Sequence, residues 1–76
     1  MEPLHLAIIN LIMLRRCALT MQQIDKSIVG WPTIQIEYAI VEMERADLIT
    51  SMRQKGRTFY QITLKAFNAH REGYVS

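Results

Sequence analysis

Three cations, Arg53, Lys55 and Arg57, alternate around Gly56, and no acid interrupts the stretch from Thr50 to Lys65. Lysine and arginine so spaced offer N–H donors to phosphate oxygens, so the chemistry available is contact with a polyanion backbone. A merely solvated hairpin tip has the same composition. A second set lies upstream, where Thr33, Gln35 and Tyr38 fall in a helical segment. Glutamine can bond adenine through two contacts, and Thr and Tyr hydroxyls reach bases or phosphates. Glu37 and Glu42 lie near the same face and would repel phosphate, although a glutamate can accept from cytosine N4. An ordinary solvated helix face fits these residues equally well. Lys26, with Arg15 and Arg16, offers further phosphate contacts from the body of the chain.

Other chemistries find little support. His5 and His70 lack a Cys or carboxylate cluster at ligand spacing, so no metal site is expected. Cys17 is the single cysteine, with no His arranged in sequence to activate it, and is expected to be a structural or buried thiol. No Gly-rich phosphate loop, nucleophile elbow or carboxylate pair in an apolar pocket is present, so neither an enzyme nor a cofactor is expected.

The distribution of charge points the same way. Residues 1–50 hold four Lys and Arg against six Asp and Glu, a net −2, whereas residues 51–76 hold five against one, a net +4. A positive C-terminal third on a nearly neutral body implies a local anionic contact rather than a general polyanion coat. The chain has 76 residues, half of them apolar, which predicts a single folded domain over residues 1–76. A lone cysteine argues for a reducing interior. The apolar run from Leu4 to Leu14 is shorter than the roughly 20 residues a membrane span needs. Glu2 before it and Arg15-Arg16 after it do not suit a secretory signal. A soluble cytoplasmic protein is the expectation.

The elements that must position the candidate residues follow from local signals. A first helix is predicted from Pro3 to about Arg16, with Pro3 in the first turn and the arginines at the negative end. It carries two apolar stripes: Leu4, Ile8, Leu11 and Ile12, and then Leu6, Ile9 and Met13. A helix apolar on two sides needs cover on two sides, which predicts a second subunit against the second stripe. After the extended Cys17-Ala18-Leu19, Thr20 and Gln23 form a capping box for a second helix. Met21, Ile24 and Ile28 face inward there, and Gly30 is expected to stop it in the left-handed conformation. Trp31, a packing anchor, precedes Pro32 and Thr33, which open the third helix. Ile36, Ala39, Ile40 and Met43 face inward, leaving Gln35, Glu37, Tyr38, Glu42 and Arg45 opposite. From Leu48 the period changes to that of strands: Leu48 to Arg53 and Thr58 to Thr63 form a hairpin turned at Gly56. Thr63 caps a last helix from Leu64 to about Glu72, closed by Gly73 and packed down by Leu64 and Phe67.

This order resembles the winged helix-turn-helix superfamily, with PadR-like and MarR-like bacterial regulators the nearest in pattern. Residues 39–67, AIVEMERADLITSMRQKGRTFYQITLKAF, carry the resemblance. Met43-Glu44-Arg45-Ala46-Asp47-Leu48-Ile49 is similar to the end of the recognition helix in such proteins, with Asp47 where Gly is usual. Phe59-Tyr60-Gln61-Ile62-Thr63 is similar to the end of the second wing strand. The resemblance implies a mainly α fold, a three-helix core plus a small β-hairpin wing and a C-terminal helix. It also implies a small sequence-specific regulator of double-stranded DNA, a repressor acting as a homodimer. The recognition helix, 33–46, would enter the major groove with Thr33, Gln35 and Tyr38 toward bases. The wing, 53–57, would set Arg53, Lys55 and Arg57 on the phosphate backbone, with Lys26 assisting. The contact between copies is expected at Leu6, Ile9, Met13, Phe67, His70 and Tyr74. The economy of the chain fits a phage, plasmid or mobile-element repressor. A second reading keeps the fold and changes the partner: acidic helix three with Val41 exposed suits a protein groove, making the chain a protein-interaction adaptor or inhibitor.

Overall fold

The computed structural model describes residues 2–75, with side chains described for residues 2–71. The chain order is α1 (Pro3–Arg15), β1 (Leu19–Thr20), α2 (Met21–Ser27), α3 (Thr33–Arg45), β2 (Ile49–Gln54), β3 (Arg57–Ile62) and α4 (Leu64–Val75). Three short strands form an antiparallel sheet in the order β1-β3-β2. The architecture is a winged helix-turn-helix: helices carry most of the chain, and β2 and β3 project as the wing.

Local chemistry accounts for most of these boundaries. Pro3 begins α1, where its missing N–H costs no hydrogen bond. The helix ends at Arg15, because Arg16 adopts the left-handed conformation at φ 57° and its N–H donates to the Ile12 carbonyl at 3.0 Å. Thr20 and Gln23 form the expected capping box on α2: the Gln23 N–H donates to Thr20 Oγ1 at 3.2 Å, and the Thr20 N–H donates to Gln23 Oε1 at 2.9 Å. Gly30 does not stop this helix. Ser27 is its last residue, Ile28 follows with extended backbone, and the positive φ of Gly30 lies in the next turn.

The interior is aliphatic. Ile8, Ile12, Ile24, Ile36, Ile40, Met43 and Ile49 are almost wholly buried, and Ala39 joins them as the α3 periodicity predicts. Each large side chain among them contributes about 1.5–3 kcal/mol relative to exposure. The core thus clamps the inner faces of α1, α2 and α3 to the base of the sheet.

Several expectations change on packing. Ile9, expected at a contact between copies, is 0 % exposed inside the chain's own core. α4 folds back over α1 and buries Ala66 completely. His70 is nearly buried as well, and its Nε2 bonds Asn10 Oδ1 on α1. Leu64 and Phe67 do not pack α4 down: they are 74 % and 39 % exposed, because Ala66 and His70 occupy the inward face. Nor does Gly73 close α4, which runs on to Val75. Cys17 is exposed rather than buried, lying in the connector after α1 instead of on an inward helix face. Trp31 remains 40 % exposed, so the packing anchor is a partial one.

Candidate nucleic-acid interface

The end of α3 and the start of the wing are built as one unit. Asp47 takes the left-handed conformation at φ 61°. The Leu48 N–H reaches the Met43 carbonyl at 2.8 Å, and the Asp47 N–H reaches the Glu44 carbonyl at 3.1 Å. That pairing is a Schellman motif, the usual setting for glycine, and Asp tolerates it better than most residues. Three further bonds bind the junction. Thr63 Oγ1 donates to the Asp47 carbonyl at 2.6 Å, and Lys65 Nζ donates to the Ala46 carbonyl at 3.1 Å. Ser51 Oγ donates to Glu44 Oε2 at 2.9 Å, tying β2 directly to α3. Thr63 also caps α4, its Oγ1 accepting from the Ala66 N–H at 3.2 Å.

The opposite end of α3 is held more lightly. Pro32 precedes it and supplies no side-chain cap. Thr33 Oγ1 donates to Asp25 Oδ1 on α2 at 2.9 Å, fixing the turn between the two helices. The Thr33 hydroxyl therefore commits its proton inside the chain and has only acceptor capacity left for a ligand.

Projected around the helix, the buried positions of α3 centre on Ile36 and Met43. The direction facing away from them holds Ile34, Tyr38, Val41 and Arg45, at the spacing of one helical ridge. Ile34, Tyr38 and Val41 are 59 %, 65 % and 44 % exposed, and with Glu37 they line a shallow depression of about 230 Å³. Gln35 and Glu42 occupy the flank nearest α1. Thus Tyr38 stands on the outermost ridge, Gln35 to one side and Thr33 at the helix start. The sequence reading missed Ile34, though its phase against Ile36, Ile40 and Met43 marks it as outward.

The wing turn is tighter than its sequence suggested. Gln54 pairs with Arg57, so only Lys55 and Gly56 form the turn, and both have positive φ, 51° and 77°. A two-residue turn with both central residues left-handed matches the right-handed twist of a hairpin. Strand register then sorts the cations by face. Ser51 pairs with Tyr60 and Arg53 with Thr58, and the Ser51–Glu44 bond marks that face as the α3 side. Met52 pairs with Phe59 and Gln54 with Arg57 on the reverse face. Arg53, Lys55 and Arg57 are all exposed, one on each face and one at the tip. Lys26 is exposed in the last turn of α2, at the far end of that helix from the sheet.

Of the residues expected between copies, Leu6 and Met13 are half-buried and Phe67 is partly exposed. The side chain of Tyr74 lies outside the described residues. Among the described residues, no group of three or more His, Cys, Asp or Glu is placed to hold a metal ion. No helix among them is long and apolar enough to cross a membrane.

No family model and no curated protein sequence matches the chain. Solved structures do match it in shape. The PcaV transcriptional regulator from Streptomyces coelicolor aligns with a TM-score of 0.84 at 18 % identity, over 99 % of this chain and 54 % of that one. A possible HxlR family transcriptional factor from Thermoplasma volcanium aligns at 0.81 with 20 % identity, over 93 % of this chain and 64 % of its own. A point mutant of ZitR from Lactococcus lactis aligns at 0.77 with 17 % identity, over 99 % of this chain and 51 % of its own. This chain therefore spans about half to two-thirds of the length of these proteins. The likeness bears out the winged helix-turn-helix fold.

Proposed function

We propose that the protein is a DNA-binding transcriptional regulator that grips duplex DNA chiefly through its wing. The observation that carries this reading is the wing itself: a tight hairpin with three exposed cations and no acid, set by a bonded junction at the end of α3. The fold is shared with proteins described as transcriptional regulators or factors, which supports the reading. Arg53, Lys55 and Arg57 contact phosphates on either side of the wing tip, and Lys26 adds a contact from α2. Tyr38 and Gln35 face bases from α3. Thr33 offers a hydroxyl acceptor while it holds the turn. Repression by occupancy, as a homodimer on half-sites about one helical turn apart, completes the proposal. The surface for a second copy is Leu6, Met13 and Phe67; Ile9 and His70 belong to the chain's own packing.

Binding to random-sequence duplex across a salt series, read by fluorescence anisotropy, tests the reading. Affinity falling log-linearly with salt is the expected outcome, because phosphate contacts release condensed counterions. Absence of binding at low salt would refute it.

One observation favours a second reading. The outward ridge of α3 is Ile34, Tyr38 and Val41 beside Glu37, which suits an apolar protein groove better than a phosphate-lined one. Under that reading the chain is an adaptor or inhibitor, and no salt-dependent DNA affinity accompanies the fold.

A further inference from the structure

A cavity of about 240 Å³ opens between the start of α1 and the flank of α3. Its walls include Trp31, Tyr38 and Gln35, and its rim carries Glu2, Glu42 and His5. The surface is mostly apolar, and its size lies just below that of sites for drug-sized ligands. His5 is largely covered, and its Nε2 lies 3.5 Å from Glu42 Oε2 and 4.0 Å from Glu2 Oε2, so both carboxylates gather around the His5 ring at the rim and leave their exposed sides to solvent. Among the described residues, no Lys or Arg lines the cavity.

Aromatic walls and carboxylates at the rim have a common preference. The face of an indole or phenol ring attracts a cation through its quadrupole, and quaternary ammonium ions are the ligands that aromatic walls suit best. Carboxylates supply the counter-charge, and an apolar lining excludes strongly hydrated metal ions. We infer that this cavity binds a small alkylated ammonium ion, seated against Trp31 and Tyr38 and held by Glu42 and Glu2. Gln35 and Tyr38 are also the residues assigned to base contact, so a bound cation and duplex DNA exclude each other. That consequence, unlike the site, rests on the DNA-binding reading.

Trp31 is the single tryptophan of the chain, so its fluorescence reports the cavity directly. Choline is the probe, 3,3-dimethylbutanol is its neutral counterpart of the same shape, and sodium chloride matches the ionic strength. The expected result is a saturable change with choline and none with the neutral alcohol. Glu42→Gln should weaken choline by about fivefold, the effect of one solvated charge at roughly 4 Å, and Tyr38→Ala should weaken it further. Both side chains are exposed, so neither substitution endangers the fold. An equal response to the alcohol, no saturation, or an unchanged Glu42→Gln titration would overturn the site. The titration is then repeated against labelled duplex. Choline that saturates Trp31 without releasing DNA overturns the mutual exclusion alone, and a failure to bind DNA at all counts against the DNA reading while leaving the fluorescence result intact.

Discussion

The wing and the outward ridge of α3 are neighbours, positioned by the same junction, yet they present opposite surfaces. The wing carries Arg53, Lys55 and Arg57 with no acid, whereas the ridge presents Ile34, Tyr38 and Val41 with Glu37 beside it and a single cation, Arg45, at its end. A helix that derived its DNA affinity from phosphate would not be flanked by carboxylates. Under the DNA-binding reading, the contrast divides the work between the two regions: long-range attraction would reside in the wing, and the α3 ridge would be left to short-range selection.

Each half of that division can be attacked. Replacing Arg53, Lys55 and Arg57 together by alanine should reduce duplex affinity on the order of 100-fold at low salt, since three counterion-releasing contacts are lost. Anisotropy titration reads the change, and loss of less than a few-fold would remove the wing from the account. Changing the ridge toward the wing's chemistry should do the reverse. Glu37→Lys is expected to strengthen binding to random duplex by roughly tenfold, because a repelling charge becomes an attracting one near the groove. Unaltered affinity there would place α3 away from the DNA.

Smaller effects probe how the two regions are held. The base of the wing is tied by the Schellman motif and three side-chain bonds, while the start of α3 depends on Thr33 and Asp25. Thr33→Val should cost about 1 kcal/mol in urea unfolding, the usual worth of one such bond. Asp47→Gly should stabilise the chain by roughly 0.5–1 kcal/mol, because glycine adopts φ 61° without the steric cost of a Cβ. A destabilised Asp47→Gly chain would show that the Asp side chain contributes something beyond its backbone conformation.

The parts of this architecture legible in the sequence are those governed by neighbours along the chain. Thr20 and Gln23 announce α2, Gly56 announces the hairpin, and the spacing of Ile36, Ile40 and Met43 orients α3. Asp47 is readable as a left-handed residue only through the resemblance, since nothing in its immediate context demands that conformation. What sequence reading misses depends on packing between distant segments. Whether Leu64 and Phe67 or Ala66 and His70 face inward is decided by how α4 lies over α1, sixty residues earlier in the case of His70 and Asn10. Ile9, assigned by periodicity to a second stripe, lies in the core for the same kind of reason. For the candidate site, the basic tip is visible as composition, but the sorting of Arg53 and Arg57 onto opposite faces requires the strand register. The apolar character of the α3 ridge shows in the sequence at Val41 alone until the helix is projected against its buried face, which brings Ile34 and Tyr38 beside it.

The most direct test of the central claim is the salt slope of duplex binding for the unaltered chain beside Arg57→Ala. Arg57 is exposed at the wing turn and lies on the opposite face of the wing from the Ser51–Glu44 bond, so its removal leaves the junction intact. A decrease of about one unit in the log–log slope is the result the account predicts. Identical slopes for the two proteins, whatever their absolute affinities, would contradict it.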